Sequence, residues 1–189
     1  MGIAKYLREA WKKPDNDILK KRMIGWRTGE SIVKVEKPLR LDRARALGYK
    51  AKQGIIVVRV RIKRGGHKRI RPNKGRRSKR LHNRKNLRMN YMEIAEQGVN
   101  RKYKNMEVLN SYQIGKDGMN YFYEVILVDR AAPQIKSDKE LSFLTKPANK
   151  GRAFKGVTSA GKKARGHRYS KNKVPKAYPS LRSNGRRGN

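Results

Sequence analysis

The feature that most limits how this chain can fold is a long segment without acidic side chains. Between Asp42 and Glu93 there is no Asp or Glu, whereas residues 43–92 carry nineteen Lys or Arg. Like charge at this density opposes collapse, and the segment has few apolar side chains to bury. We therefore expect an external polyanion to compensate it, with the rest of the chain as the scaffold.

Charge alone separates a core from two basic arms. The 189 residues include 51 Lys or Arg and 14 Asp or Glu, for a net charge of +37. Residues 141–189 form a second segment without acidic residues, whereas residues 93–140 hold seven basic and eight acidic side chains and are close to neutral. A surface this basic favours nucleic acid, because binding releases the counterions condensed on phosphates.

Several function classes lack support in the sequence. There is no apolar run long enough to span a membrane and no apolar stretch typical of a signal peptide. With no cysteine, disulfides and thiolate metal sites are excluded. The three histidines are far apart in basic surroundings, and Glu93 and Glu96 are better explained as solvated or ion-paired than as an acid–base couple. We predict no catalytic residue, no metal site, no cofactor and no enzyme activity.

The periodicity of apolar residues predicts an α+β fold. We expect a helical hairpin in residues 1–30, then a core in residues 31–145 with the order strand, short helix, strand, helix, strand, strand. The strands are predicted at 31–37, 55–62, 106–114 and 120–129, and the helices at 41–47 and 83–100. The core is predicted to have two layers and a mostly antiparallel sheet.

Two further segments complete the predicted architecture. Ser137 and Glu140 have the spacing of a capping box, which predicts a short helix to about residue 145. After Pro147 no periodicity is sustained, so residues 146–189 are predicted to form an extended basic arm. A long basic loop is predicted at residues 63–82, between the second strand and the following helix.

The second predicted strand has two different faces. Val58, Val60 and Ile62 alternate with basic residues and should point toward a core. The opposite face carries Arg59, Arg61 and Lys63, which we expect to meet a charged partner or solvent.

The basic loop is the strongest functional signal. Its cations are too closely spaced to lie on one regular face and suit a path between phosphates, where arginine can make bidentate contacts. The alternative is a solvated segment or a nuclear localisation run. The cations run from Arg64, Lys68 and Arg69 through Arg71, Lys74, Arg76, Arg77, Lys79 and Arg80, with Arg84 just beyond.

The second arm offers hydroxyl groups and aromatic rings as well as charge. Thr158 and Ser159 can hydrogen-bond a phosphate or a 2′-hydroxyl. Phe154, Tyr169 and Tyr178 can stack on unpaired bases or can simply pack on the core. The Gly161-Lys162-Lys163 run lacks the full pattern of a phosphate-binding loop, so we do not predict nucleotide hydrolysis.

Five motifs stand in order along the chain: KYLREAWKKP, RLDRARALGYKAKQG, RPNKGRRSKR, YEVILVD and GVTSAGKKARG. Together they resemble the archaeal and eukaryotic (e-type) large-subunit ribosomal protein fifteen family, and the length and tail look archaeal. The resemblance implies a small α+β core with extended arms on ribosomal RNA (rRNA). It assigns RNA contacts to Arg43, Arg45, Lys50 and Lys52, to Arg71, Lys74, Arg76, Arg77, Lys79 and Arg80, and to Thr158, Ser159, Lys162, Lys163 and Arg165. We add Arg59, Arg61, Arg64, Lys68, Arg69, Arg84 and Arg168 as candidate RNA-binding residues.

The leading hypothesis is a structural, rRNA-binding component of the large ribosomal subunit in the cytoplasm, with neighbouring ribosomal proteins as further partners. No membrane partner and no homo-oligomer are expected. The alternative is an architectural, chromatin-type DNA-binding protein that uses its arms in the grooves. An RNA-modifying enzyme would need a cofactor loop or an acid–base pair that the sequence does not offer.

Overall fold

A computed structural model describes residues 2–68, 84–85, 87 and 89–167. The centre of the predicted basic loop and the end of the second arm lie outside the described residues. No helix among the described residues is long and apolar enough to cross a membrane.

A four-stranded antiparallel sheet forms the centre of the described chain, in the order β1-β2-β6-β5. The four predicted strands are confirmed, with small shifts at their ends. A separate pair of two-residue strands, β3 and β4, brings the two ends of the basic loop together. The strands are β1 (Ile32–Val35), β2 (Ile55–Lys63), β3 (His67–Lys68), β4 (Arg84–Lys85), β5 (Met106–Lys116) and β6 (Asn120–Asp129).

Six α-helices and two 3₁₀ turns surround this sheet in the described residues. The two N-terminal helices and the short third helix are confirmed. The 3₁₀ turns are Ser142–Thr145 and Pro147–Asn149. The helices are α1 (Ile3–Ala10), α2 (Asn16–Thr28), α3 (Leu41–Ala46), α4 (Tyr91–Lys102), α5 (Pro133–Lys136) and α6 (Ser159–Ala164).

Local sequence signals explain where several of these elements begin and end. The Asp15 carboxylate accepts the backbone N–H groups of Asp17 and Ile18 at 2.9 and 3.2 Å and so caps α2. Gly48 follows α3 with a φ of 96°, a left-handed conformation that glycine adopts without steric cost. In the β5–β6 hairpin, the Asp117 carboxylate accepts the N–H groups of two residues that follow it in the turn.

Both faces of the sheet are covered, so the core has three layers where we predicted two. One face packs against α2, α3, α5 and the first 3₁₀ turn, and the Trp26 and Phe122 rings lie 5.2 Å apart there. The other face packs against α4 through Val99 and against Ala153. Strand β6 lies between β2 and β5, which explains its almost continuous burial. The predicted α+β class and antiparallel sheet are confirmed.

Two predicted helices differ from the observed ones. The helix predicted at 83–100 begins only at Tyr91, because the Asn90 side chain caps it by accepting the Glu93 N–H at 2.8 Å. The capping box was wrong: Ser137 ends α5, and its hydroxyl donates back to the Pro133 carbonyl at 3.2 Å. The α5 helix starts instead with proline at its first position, where the missing N–H costs nothing.

The segment after Pro147 is folded as far as residue 167, so the prediction of an extended arm is wrong for this part. Its turns lead into α6, and Ala153, Thr158 and Ala160 are buried. The Asn90 side-chain amide donates to the Ala160 carbonyl at 2.9 Å, which ties α6 to the start of α4. The proposed division at residues 30 and 145 into three domains stays a prediction.

A close backbone approach at Gly161 positions α6, and it yields a stability prediction. A Cβ on Gly161 would lie 2.6 Å from the Gly156 Cα, so Gly161→Ala must displace the helix. We expect a loss of about 1–3 kcal/mol in the free energy of unfolding, measured by urea denaturation.

Gly98→Ala is the matched control within α4. A Cβ there meets nothing within 4 Å, and alanine favours helix by about 0.5–1 kcal/mol over glycine. The two variants should therefore shift stability in opposite directions. Equal stability of Gly161→Ala and the native chain would contradict the observed packing of α6.

Candidate nucleic-acid interface

Five of the fourteen acidic side chains are buried inside the fold, whereas six are exposed. Asp42, Glu93, Glu96, Glu107 and Glu124 are all buried, at 0–8% exposure. A buried carboxylate must be hydrogen-bonded or paired to be tolerated. The partners of these groups decide which basic residues remain available to a polyanion.

Glu124 on β6 accepts hydrogen bonds inside the first hydrophobic layer. The Leu39 N–H donates to its two oxygens at 3.0 and 3.2 Å, and the Tyr112 hydroxyl donates at 2.5 Å. Burial raises the pKa of Glu124, while these donors oppose the shift. Burial is also the main cause that raises the pKa of Tyr112, and the neighbouring Glu124 charge adds to it. Glu124 therefore links β5 and β6 to the segment before α3.

The basic face of β2 is only partly open to a partner: Lys63 is exposed, whereas Arg59 and Arg61 are half-buried. Arg59 pairs across the sheet with Glu124, and its guanidinium lies 5.3 Å from the Trp26 ring. Burial lowers the pKa of Arg59, and the Glu124 charge opposes that shift. The Arg61 guanidinium donates to the Arg27 carbonyl. Helix α2 thus covers much of a face that alternation alone assigned to solvent or to a charged partner.

Lys50 and Lys52 have carboxylate partners within the chain. The Lys50 ammonium lies 3.0 Å from Asp138 and 2.8 Å from Glu140, and Lys52 lies 2.5 Å from Asp138. The hydrogen bonds from Lys52 and Lys50 lower the pKa of Asp138 well below its usual range. Conversely, hydrogen bonds to Glu140 and Asp138 raise the pKa of Lys50. These lysines connect the segment after α3 to the segment after α5.

Thr158 is fully buried in this structure and its hydroxyl is engaged within the chain, and its predicted contact with RNA stays a prediction. Its hydroxyl donates to Glu96 at 2.6 Å and also accepts the Gly161 N–H at 3.1 Å, which caps α6. The Ser111 hydroxyl donates to the other Glu96 oxygen at 2.5 Å. Burial raises the pKa of Glu96, and both hydroxyl donors oppose the shift.

Four of the predicted cations are exposed on short helices. Arg43 and Arg45 project from α3, and Lys162 and Lys163 project from α6. Ser159 and Arg165 are half-buried, and the Arg165 guanidinium donates to the Gly156 carbonyl at 3.1 Å. Among the described residues, these two helices therefore present four predicted cations to solvent.

The entrance to the basic loop is partly described. Arg64 is exposed, donates to the Asp117 carbonyl at 2.8 Å and lies 5.1 Å from the Tyr121 ring. The backbones of Lys68 and Arg84 pair in β3 and β4. The remaining predicted residues lie outside the described residues: Arg69, Arg71, Lys74, Arg76, Arg77, Lys79, Arg80 and Arg168.

A cleft that the sequence reasoning missed lies at the end of α4. It has a volume of about 300 Å³. The residues that line it are Asn100, Arg101, Lys104, Glu107, Lys150, Gly151 and Phe154. Its side chains come from segments about fifty residues apart, and residues 93–140 had been assigned to a neutral core. Only Phe154 had drawn attention, as a ring that can stack or pack. Within the described residues no group of His, Cys, Asp or Glu could hold a metal ion.

Comparison with known proteins identifies a family to which the chain is similar. A family model described as "Ribosomal L15", of the L15e type, matches residues 2–184. The chain belongs to the ribosomal protein L15e family. The resemblance drawn from the five motifs is thereby confirmed.

Two archaeal members of the L15e family show how much of the chain is shared. A protein from Methanocella arvoryzae is 48% identical over 188 residues, which cover 97% of this chain and 96% of that protein. A protein from Methanospirillum hungatei is 50% identical over 187 residues, covering 96% and 95%. Both carry the name "Large ribosomal subunit protein eL15".

The burial of Glu96 predicts a pH-dependent contribution to stability. Because the pKa of Glu96 in the folded chain lies above its ordinary value of 4.5, the folded state holds this proton more tightly than the unfolded state. The contribution is fully present below the unfolded pKa and is lost as the pH rises through the folded-state pKa. The unfolding free energy of the native chain should therefore fall, relative to Glu96→Gln, as the pH rises from about 4.5.

Urea denaturation at a series of pH values measures this difference. The variant keeps an acceptor for one hydroxyl and gains a donor for the other, so it should fold. Comparing the two chains cancels the titration of Glu124, which both retain. A difference that stays constant or grows with pH would contradict a raised pKa for Glu96.

Proposed function

We propose that this chain is a structural constituent of the large ribosomal subunit and binds rRNA through its basic surface. The main supporting observation is a partial separation of charge: five carboxylates are buried in the core, while four cations of the segments without acidic residues are exposed on short helices, namely Arg43, Arg45, Lys162 and Lys163. The names of its two L15e relatives support the subunit assignment. The subunit assignment carries a cytoplasmic location with it.

The proposed mechanism is charge neutralisation combined with shape fit. Each phosphate that meets a lysine or arginine releases condensed counterions, so binding weakens as salt rises. A-form RNA hides its deep groove, so recognition rests on phosphates, 2′-hydroxyls and unpaired bases. Carboxylates that are hydrogen-bonded or ion-paired within the chain, such as Glu124 and Asp138, are compatible with RNA binding. Their charge is already compensated, so they repel an approaching phosphate less.

The parts of the chain contribute differently to this role. The sheet and its helices hold α3 and α6 in fixed positions, and the basic loop of residues 63–82 lies between β2 and α4 in the sequence. We propose that the loop sets the position on the RNA and that the second arm, residues 146–189, adds affinity, although its first part also packs on the core. Neighbouring ribosomal proteins are the proposed further partners, and one copy per subunit is proposed rather than a homo-oligomer.

Co-sedimentation tests the subunit assignment against DNA binding. A cell lysate is separated on a sucrose gradient after treatment with RNase, with DNase or with neither. We expect the chain to migrate with large subunits, to remain there after DNase and to be released by RNase. Release by DNase alone would instead support a chromatin-type DNA-binding protein.

The salt dependence of rRNA binding tests which cations meet phosphates. Arg43→Gln/Arg45→Gln removes two exposed cations from α3, and we expect the slope of log affinity against log salt to fall by up to about 0.9 for each phosphate that is no longer neutralised. Binding to deproteinised large-subunit rRNA is measured by filter retention at several salt concentrations.

Lys50→Gln/Lys52→Gln is the matched control, with the same change in net charge. Because Asp138 already pairs with both lysines, the slope should change less. The unfolding free energy should fall instead, since Asp138 loses its partners. Equal slopes for the two double variants would show that position does not matter and that net charge alone determines binding.

A further inference from the structure

The cleft at the end of α4 combines an aromatic ring with three exposed cations. Phe154 is 41% exposed, and the Arg101 guanidinium lies over its ring at 5.7 Å from the centroid. Lys104 and Lys150 line the same cleft and are also exposed. A ring that served only to fill the core would be buried, as Phe122 is at 0% exposure.

Hydrogen bonds hold the backbone of the turn that carries Phe154. The Phe154 N–H donates to the Gly151 carbonyl at 3.0 Å, and Gly151 adopts a φ of 66° that favours glycine. The buried Glu107 carboxylate accepts the N–H groups of Gly151 and Arg152 at 2.8 and 3.4 Å. The turn is therefore held before any ligand arrives, which reduces the ordering cost of binding.

The charge of the cleft favours an anionic ligand with a flat apolar part. Glu107 is its single acidic lining residue, and it is 3% exposed with its two oxygens occupied by backbone donors. The volume of about 300 Å³ lies at the lower end of the range for ligand pockets, roughly 300–1,000 Å³. A nucleotide has both required parts, a base that stacks and a phosphate that pairs with cations.

We propose that this cleft binds one unpaired nucleotide of the RNA, with the base on Phe154 and Arg101 and the flanking phosphates on Lys104 and Lys150. Paired bases within a duplex are stacked on each other and do not present their faces, so the site selects a single-stranded or bulged position. This inference rests on the proposed function, because the nucleotide belongs to the bound RNA. It adds three cations, Arg101, Lys104 and Lys150, to a place where the sequence had offered only the Phe154 ring.

Binding of short RNA by the full chain tests the site. The probes are oligo(U) single strands of about eight nucleotides, within the usual site size of such grooves, and a duplex of the same length. Phe154→Leu keeps the apolar volume but removes the aromatic ring. We expect its affinity for the single strand to fall roughly tenfold, as for loss of one base–aromatic stack, while duplex affinity stays the same.

Phe143→Leu is the matched control. Phe143 is also exposed, at 37%, and also lies under an arginine, with Arg152 at 5.3 Å, but it does not line the cleft. This variant should bind the single strand as the native chain does. An equal loss in both variants would overturn the site, because it would show a general effect of exposed rings.

Lys104→Gln/Lys150→Gln separates phosphate contacts from stacking. This double variant should lower the salt slope of single-strand binding, whereas Phe154→Leu should lower the affinity at an unchanged slope. Thermal denaturation of each variant establishes that it is folded. An unchanged slope in the double variant would overturn the assignment of the phosphates to these lysines.

Photo-crosslinking gives a direct readout of the stacked base. With 4-thiouridine in the oligo(U), we expect a crosslinked peptide that contains Phe154, which disappears in Phe154→Leu. A crosslink elsewhere, together with native affinity in Phe154→Leu, would overturn the site while leaving large-subunit co-sedimentation intact. Failure of the native chain to co-sediment with large subunits would instead overturn the proposed function.

Discussion

The buried carboxylate of Glu96 joins three parts of the chain that are distant in sequence. It lies on α4, accepts the Ser111 hydroxyl of β5 and accepts the Thr158 hydroxyl that caps α6. Desolvating a carboxylate costs several kcal/mol unless donors replace the lost water. One hydroxyl belongs to β5 and the other to the residue before α6. Glu96 therefore has both hydrogen-bond donors only when these two segments are in place. The Arg152 charge near Glu96 further favours the ionised form.

The same principle explains how a chain with a net charge of +37 keeps a compact core. Several of its fourteen carboxylates lie where they bind cations and backbone N–H groups from separate segments. Glu124, Glu107 and Asp138 each tie a loop to the sheet or to another loop. Consequently some cations, including Arg59 and Lys52, make contacts within the chain that stabilise the fold. Net charge alone therefore overstates the surface that a phosphate can meet.

Alternation of apolar residues was enough to locate the sheet, because strands bury side chains at a fixed period of two. The same pattern assigned Arg59 and Arg61 to an open face, since it cannot show that α2 folds back over that face. Ser137 and Glu140 matched a capping box, but a box has meaning only if a helix follows. Here α5 comes before Ser137, and Pro133 is the signal for its start.

Helix α6 was missed for a related reason. It is six residues long, too short to show a period, and its packing depends on the absence of a side chain at Gly161. Thr158, close to two lysines, had the appearance of a phosphate ligand. Its actual partner, Glu96, is 62 residues away in sequence, so local reasoning could not identify it. The cleft around Phe154 was hidden in the same way, because Arg101 and Lys104 come from a segment of balanced charge.

The folded start of the second arm bears on the proposed recognition of RNA. Helix α4 carries α6 near its first residues, through Asn90 and Ala160, and carries Arg101 of the cleft in its last turn. Twelve residues at 1.5 Å per residue place these two ends about 18 Å apart on a single helix. The exposed lysines of α6 and the cleft are therefore held at a fixed separation. Under the proposed function, a fixed separation would select among RNA shapes, because an RNA backbone with different spacing could not contact both sites at once. Cations elsewhere on the chain would add affinity for any polyanion, so we propose that the spacing set by α4 gives shape specificity.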